Sequence, residues 1–548
     1  MILAVVSRTA TPRSRRPSRW WRPATAARRQ RVVAALLVSA LLLAGFAMRV
    51  DGLGQPPTDF VPERQYHSAL LARGYYYDAL DSAPRWRRHL AELAADQEEW
   101  IEPPAMEVAA SITYRALGGE QLWFPRLISI LFWLVGGVFL YATARRIGSQ
   151  AGALVALAVY LFLPYGVIAS RSFQPDPLMV MAMLASVFLI VRYYERPALA
   201  RLLAAAAVSA LAVLVKPGIS LLPIVGAFLA LAISSRGLRA SIVSRSTAIF
   251  CAVTAAPAAA YYVYGTLVED FLSGQAGAKT TPRLLVEPFF WKAWLGRLTD
   301  VLGYPGGGVA TELAGVLVLA LALAAGPFLR GKSARALLLG LLAGYVGYGL
   351  VFTVHIHTHT YYSLMIVPIL GLALMPLGDG LQALLQKRAT VLRLAIPVLL
   401  VLALAAVGWR ARVHYTEDFN VPVEQFAKIG QSVRHSDRTL VLGQTEMTEY
   451  YGWLFGVRWP GSSDLALTAA SEGRHGATAP SFADVEERLH REVAAERRSR
   501  GRTPRYFIVE DISDLEKQRG LDKYLKRTFP LAERDETYLV FDLTRRRR

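Results

Sequence analysis

The feature that most constrains this chain is the recurrence of apolar runs of near-bilayer length, separated by short basic segments. The chain has 548 residues, is 53% hydrophobic and has a mean hydropathy of +0.31. Spanning a bilayer takes about 20 apolar residues per helix, whereas a soluble domain has no use for many such runs. Eleven candidate spans emerge, at residues 32–48, 127–143, 151–169, 178–191, 202–215, 219–233, 246–264, 315–329, 336–354, 361–377 and 394–409. The expected fold is therefore a polytopic α-helical membrane protein of about eleven transmembrane helices.

Charge orients the bundle. The net charge of +19 is a poor fit to nucleic-acid binding, because the arginines sit at span ends and termini rather than on one soluble face. Residues 1–31 hold nine arginines, which makes them a basic cytoplasmic tail under the positive-inside rule. Loops expected on the same side hold pairs and triplets of Arg or Lys, such as Arg145–Arg146 and Lys387–Arg388–Arg393. The opposite short turns hold only Arg171 and Lys216. This places the N-terminus in the cytoplasm and the C-terminal part outside. A basic region before the first apolar run resembles a signal sequence, but no small-residue cleavage site follows, so an uncleaved anchor is expected. The single cysteine, Cys251, lies inside a span, so no intramolecular disulfide supports the exported parts.

The spans form a domain over residues 32–409, with two long outer loops at 51–125 and 268–310. In the first loop, residues 65–80 and 85–100 carry aromatic and aliphatic side chains at helical spacing, with Trp86, Leu90, Leu93 and Trp100 beside charged neighbours. A basic, Trp-bearing amphipathic segment next to a span is expected in the membrane interface; packing on the C-terminal part is the alternative. The second loop carries Phe289, Phe290, Trp291 and Trp294, which fit an interfacial belt or a ligand groove. Residues 410–548 switch period. Short apolar runs at 439–442, 506–509 and 538–541 read as strands, and 483–498 and 512–526 as helices, giving a small extracytoplasmic α/β domain. No internal repeat is visible.

The ionisable residues of the outer turns are the candidates for chemistry. Such groups at one face of a membrane bundle are costly, and they mark function more often than structure. Asp59 follows the first span and is suited to a general base if burial raises its proton affinity. Glu63 and Arg64 come next, and an arginine there pairs with an acid or clamps a phosphate. Glu102 precedes Pro103-Pro104, which hold its backbone rigid. Asp176 stands between two prolines at the start of a span, where helix capping is a strong alternative role. Lys216-Pro217-Gly218 separates two short spans, which draws the lysine to the membrane edge, either as a headgroup ligand or as a snorkelling side chain. His355, His357 and His359 alternate before Tyr361-Tyr362; an extended segment would line up the three rings for a metal, a phosphate or a sugar.

Taken together, these stretches resemble the GT-C superfamily of lipid-dependent glycosyltransferases, above all the protein O-mannosyltransferase and lipid A aminoarabinose transferase groups. The resemblance rests on Asp59 with Glu63-Arg64-Gln65-Tyr66, Glu102-Pro103-Pro104, the turn from Ser170-Arg171 to Asp176, and His359-Thr360-Tyr361-Tyr362 with Pro368. It covers residues 32–377, and the order of the motifs carries more weight than any one of them. Two departures stand out. Three residues, Pro62 among them, separate Asp59 from Glu63 where many members have an Asp-Glu pair, and the lysine that aminoarabinose transferases place between acid and prolines is absent.

The resemblance implies sugar transfer from a polyprenyl-phosphate donor to an acceptor in a bacterial cell envelope, whether glycan, lipid or protein. Among the acids, Asp59 is the expected base, with Glu63 and Glu102 as the other catalytic candidates. Arg64, Arg171, Asp176, Lys216, His357, His359, Tyr361 and Tyr362 are expected to hold the donor phosphate and sugar. Membrane lipids are partners and nucleic acid is not. The resemblance fixes no cofactor; a divalent metal is possible but optional, because cationic side chains can neutralise the departing phosphate. A transporter or flippase is the alternative from another class, although such proteins tend to show repeats and mid-span charges that are not visible here.

Overall fold

The computed structural model of the protein describes residues 24–99, 102–269, 272, 280–303, 308–418, 423–465 and 482–547. Most of the basic tail, Trp100 and part of the second outer loop lie outside the described residues. Among the described residues, nine helices are long and apolar enough to cross a membrane, and two shorter apolar helices, Gln150–Phe162 and Leu199–Val215, coincide with two further expected spans. The protein is a multi-pass membrane protein.

The first transmembrane helix, α1 (Ala24–Val50), leads into three helices of the first long loop, the one expected outside: α2 (Pro62–Asp78), α3 (Arg85–Gln97) and α4 (Ala105–Leu117). The bundle continues with α5 (Trp123–Ile147), α6 (Gln150–Phe162), α7 (Pro164–Ala169), α8 (Asp176–Glu195), α9 (Leu199–Val215) and α10 (Pro217–Arg236). Two breaks in this series shape the site, and both are written by proline. A residue before proline is pushed out of the helical region, so Leu163 is extended (ψ 129°) and the run expected over 151–169 becomes α6 and the short α7. Lys216 is likewise non-helical (φ −149°, ψ 88°), and Pro217 opens α10 at its first turn, where a missing N–H costs nothing.

The break after α6 needs partners for its carbonyls. Arg49, near the end of α1 and fully buried, supplies them: its guanidinium donates to the carbonyls of Leu161 (2.8 Å) and Gly166 (3.3 Å) and to Ser170 Oγ (2.6 Å). Elsewhere small residues let helices meet at backbone distance. A Cβ on Gly226 of α10 would stand 2.3 Å from the carbonyl oxygen of Gly340 in the helix Lys332–Val351. In a bilayer, where apolar burial between helices yields little, such close packing supplies much of the association.

After the last span the chain forms a five-stranded sheet of β1 (Thr439–Leu442), β2 (Gly456–Arg458), β3 (Tyr506–Val509), β4 (Leu531–Arg534) and β5 (Leu539–Asp542). The order is β2-β1-β3-β5-β4; β1 is parallel to β2 and β3, whereas β5 is antiparallel to β3 and β4. Side chains alternate between two faces, as the pleat requires. Val441, Ile508 and Val540 pack with Phe426, Ile429 and Met447, from the helices Glu424–Ser432 and Thr445–Gly452. Leu440, Leu442, Phe507 and Val509 pack with Val485, Leu489 and Leu521, from the helices Phe482–Arg500 and Arg519–Thr528.

The first face of this domain rests on the outer loop, which corrects the expectation that the 85–100 segment lies in the membrane interface. Helix α3 buries Leu90, Ala91 and Ala94, stacks Trp86 on His435 (centroids 4.9 Å apart) and donates from Gln97 to the carbonyl of Gly456. Tyr450, Tyr451 and Trp453 belong to the same junction: Tyr451 bonds the hydroxyl of Tyr66 (2.7 Å), and the Arg73 guanidinium lies 3.8 Å over Tyr450 and 4.0 Å over Trp453. In the second loop the helix Pro288–Leu302 turns Phe290 and Trp294 inward, with Trp294 Nε1 donating to Tyr345, and leaves Phe289 and Trp291 about half exposed.

Candidate active site

Four charged residues from distant parts of the sequence meet where the first outer loop covers the bundle. Arg64, in the first turn of α2, donates to Glu102 at 3.1 Å. The Lys216 ammonium, at the break between α9 and α10, lies 2.8 Å from Asp176 and 3.6 Å from Glu102. Asp176 opens α8 behind Pro175, so its carboxylate stands at a helix N-terminus, where negative charge is stabilised. The rings of Tyr361 and Tyr362 approach the ammonium, with centroids 5.3 Å and 6.0 Å away. His359 closes the far side, its ring 5.1 Å from that of Tyr361.

This cluster balances two cations against two carboxylates, largely out of water. Burial alone would raise the Glu102 carboxyl, but the charges of Arg64 and Lys216 overcome it and hold the group down to about 2. One oxygen of Asp176, Oδ1, is buried with no hydrogen-bond partner among the described residues. Arg64 and Glu102 keep 18% and 13% of their side chains exposed, against 5% and 2% for Lys216 and Asp176. The Arg64–Glu102 pair therefore forms the open side of the cluster.

Asp59 is elsewhere, in a second and fully buried cluster. Both its oxygens accept from Arg126 (3.1 and 3.0 Å), and Arg171 approaches to 3.4 Å. Arg126 also donates to the carbonyls of Leu53, Gln55 and Arg171, so the trio knots the start of the first loop to the start of α5 and to the turn before α8. Gln65 ties the same strands of chain together, donating to the carbonyls of Pro57 and Phe60 and accepting from the amide of Phe173. Between Asp59 and Arg64, Val61 adopts the left-handed region (φ 44°), which is strained for a β-branched residue and turns the chain sharply into α2. Asp59 and Arg64 thus face different clusters although only four residues separate them.

The remaining expectations divide. Glu63 is exposed and lines a crevice against the α/β domain rather than the Glu102 cluster. The histidine segment is not extended: residues Thr353–Thr358 form a short helix, so His357 faces away from His355 and His359, which both approach the Tyr362 ring. His355 stacks on Tyr362 (4.3 Å), while His357 turns away, donating from Nδ1 to the Thr353 carbonyl with its ring near Phe290. Among the described residues no three His, Cys, Asp or Glu side chains converge closely enough to hold a metal ion, so no ligand set is assigned. Sequence reasoning missed Arg126. Its signal was an arginine at the span end expected to face outward, against the charge bias of the rest of the chain.

A family model described as dolichyl-phosphate-mannose-protein mannosyltransferase matches residues 102–261, a stretch that begins at Glu102 and contains Asp176 and Lys216. No curated protein matches the sequence. The structure is similar to that of ArnT from Cupriavidus metallidurans bound to undecaprenyl phosphate, with a TM-score of 0.55 at 15% identity, covering 92% of this chain and 97% of that one. The chain has the GT-C glycosyltransferase fold. The same GT-C architecture relates it to the archaeal oligosaccharyltransferase AglB from Archaeoglobus fulgidus, solved with an inhibitory peptide and a dolichol-phosphate (TM-score 0.52, 10% identity, 92% of this chain and 73% of that one). It likewise relates it to the A. fulgidus enzyme tethered to an acceptor peptide (TM-score 0.55, 12% identity, 91% and 72%).

Proposed function

We propose that this protein transfers a sugar from a polyprenyl-phosphate-linked donor to an acceptor in the bacterial cell envelope, at the outer face of the cytoplasmic membrane. The observation that carries this reading is the Arg64–Glu102–Lys216–Asp176 cluster, where two cations stand beside carboxylates at the rim of a membrane bundle. The GT-C fold and the neighbours bound to lipid phosphates support it. The N-terminus then lies in the cytoplasm and the α/β domain outside.

In the reaction the acceptor hydroxyl oxygen bonds to the anomeric carbon as the bond from that carbon to the phosphate oxygen breaks. The electron pair leaves with the polyprenyl phosphate, the hydroxyl proton passes to a carboxylate, and direct displacement inverts the anomeric centre. Arg64 and Lys216 neutralise the charge growing on the phosphate. Glu102 takes the proton, a reassignment from Asp59, whose oxygens are already held by Arg126 and Arg171. Asp59, Arg171 and Gln65 are positioning residues that hold the loop. Tyr361, Tyr362 and His359 wall the donor sugar, and Asp176 aims Lys216.

The resting ion pairs also tune the base. A carboxylate held at about 2 is a weak base at neutral pH. When the donor phosphate engages Arg64 and Lys216, their pull on Glu102 weakens while its burial remains. Its proton affinity then rises toward the working range.

The decisive assay offers purified protein in lipid a panel of radiolabelled polyprenyl-phosphate sugars with crude envelope acceptor. The expected result is release of free polyprenyl phosphate from one donor, and a loss of roughly 100-fold or more in kcat for Glu102→Gln with donor binding retained. The acid limb of kcat, which reports the donor complex, is expected at higher pH than that of kcat/KM, which reports the free protein. No release from any donor turns the weight to a lipid-linked substrate transporter, and coincident limbs remove Glu102 from the role of base.

A further inference from the structure

The α/β domain contains a crevice of about 490 Å³ that the proposed chemistry does not use. Its place in the fold is specific. From β1 the chain crosses to β2 on one side, then returns past β1 to β3 on the other, so β1 and β3 flank the point where the strand order reverses. In parallel α/β sheets, ligands bind outside the carboxyl ends of the strands at such a point. The crevice opens there: Gly443 and Gln444 follow β1, and Glu510 and Asp511 follow β3. Its volume falls in the range of about 300–1,000 Å³ usual for small-ligand sites.

The lining defines the ligand chemistry. It holds six carboxylates against two cations, Arg458 and Lys517. Several of the acids are spent on the fold: Glu510 accepts from the Gln444 amide (2.8 Å), and Asp514 accepts from the Ser462 amide (3.0 Å) and from Gln518 (3.0 Å). Among the described residues Glu63 accepts no such bond, and Glu446 accepts one from its own backbone N–H. Burial, with Glu98 and Glu63 nearby, pushes the Glu446 carboxyl up to about 7, so near neutrality it both donates and accepts. Ser462 and Ser463 add hydroxyls to the wall, and the buried Trp459 adds apolar surface. Carboxyls, amides and hydroxyls suit sugar hydroxyls, and the excess negative charge repels phosphates and acidic sugars. Glu63 also links the crevice to the reaction site, because the next residue, Arg64, pairs with Glu102 at 3.1 Å.

We propose that this crevice binds the sugar residues of a non-anionic glycan acceptor, holding it beside the Arg64–Glu102 side of the site. The acceptor role rests on the transferase reading above; the saccharide site itself does not. The test uses the full-length protein in lipid nanodiscs, without donor, and three trisaccharides: neutral chitotriose, its fully deacetylated cationic form, and trigalacturonate. Binding is read by isothermal titration. Chitotriose and the cationic trimer are expected to bind and trigalacturonate is not. Ser463→Trp, which fills the crevice, is expected to weaken both binders at least tenfold. Glu446→Gln, whose side chain keeps its size, is expected to weaken the cationic trimer more than the neutral one, which keeps the test valid should Ser463→Trp fold poorly. Donor release without acceptor, measured on the same preparations, separates the two readings. Saccharide binding without release from any donor keeps the site and overturns only the transferase. Release without saccharide binding, binding that survives both variants, or equal binding of trigalacturonate overturns the crevice as a glycan site.

Discussion

Asp59 and Glu102 are acids of the same outer loop, yet the fold gives them opposite surroundings. Asp59 is 4% exposed and held by two arginines through both its oxygens, whereas Glu102 shares its cations with a partly open site. Removing one member of a buried ion cluster leaves the others uncompensated, which costs about 3–5 kcal/mol. Asp59→Asn is therefore expected to lower the melting temperature markedly, and to lose activity through the loop it anchors. Asp59→Asn combined with Arg126→Met is expected to recover part of that stability; a double variant no more stable than Asp59→Asn alone would sink this account. The sequence marked both acids as candidates, since each lies in the first long loop near prolines. Which of them is spent on structure was not legible there, because Arg126 lies 67 residues from Asp59 along the chain.

At the scale of elements, the prolines do most of the legible work. Pro164 and Pro217 end two different helices, the second at the lysine of the charged cluster, and both consequences follow from sterics that act on the neighbouring residue alone. The partner that satisfies a break is a different matter. Arg49 reads in sequence as an ordinary membrane-edge cation, and the structure turns it inward to the carbonyls of Leu161 and Gly166 on either side of the break. Arg49→Met keeps the volume and removes the donors. It is expected to destabilise the bundle by about 1–3 kcal/mol, the cost of an unsatisfied buried acceptor. Faster hydrogen exchange in the 163–170 segment would show where, and unchanged exchange there would count against the assignment. The histidine segment illustrates the opposite error: alternation suggested an extended segment, but residues Thr353–Thr358 coil into a short helix and turn His357 away from His355 and His359.

For the whole molecule, the junction between the outer loop and the α/β domain decides whether site and crevice stay in register. Arg73 is its pivot, 4% exposed, paired with Glu120 (3.0 Å), donating to the Tyr450 carbonyl (2.8 Å) and lying over two aromatic rings. Cation–π contacts of this kind contribute about 2 kcal/mol when desolvated, and breaking the buried pair adds a larger penalty. Arg73→Met is expected to loosen the domain: limited proteolysis should cut between the last span and β1 several times faster, with the bundle intact. A cleavage rate equal to that of the parent protein would show that the junction does not depend on Arg73.

The sequence by itself determined the polytopic helical class, the positions of the spans, the central strands β1, β3 and β5 of the sheet, and the acids and cations worth watching. These follow from composition, from period and from proline, which act over a few residues. Strands β2 and β4 escaped notice because they are partly exposed, with little apolar pattern to read. Only the tertiary structure decided that Lys216 bridges Asp176 and Glu102, that Asp59 belongs to Arg126 and Arg171, and that the amphipathic α3 packs on protein rather than lipid. Each of those outcomes is a pairing of charges or surfaces across tens to hundreds of residues. Such pairings are set by which helices pack together, a choice the local pattern leaves open.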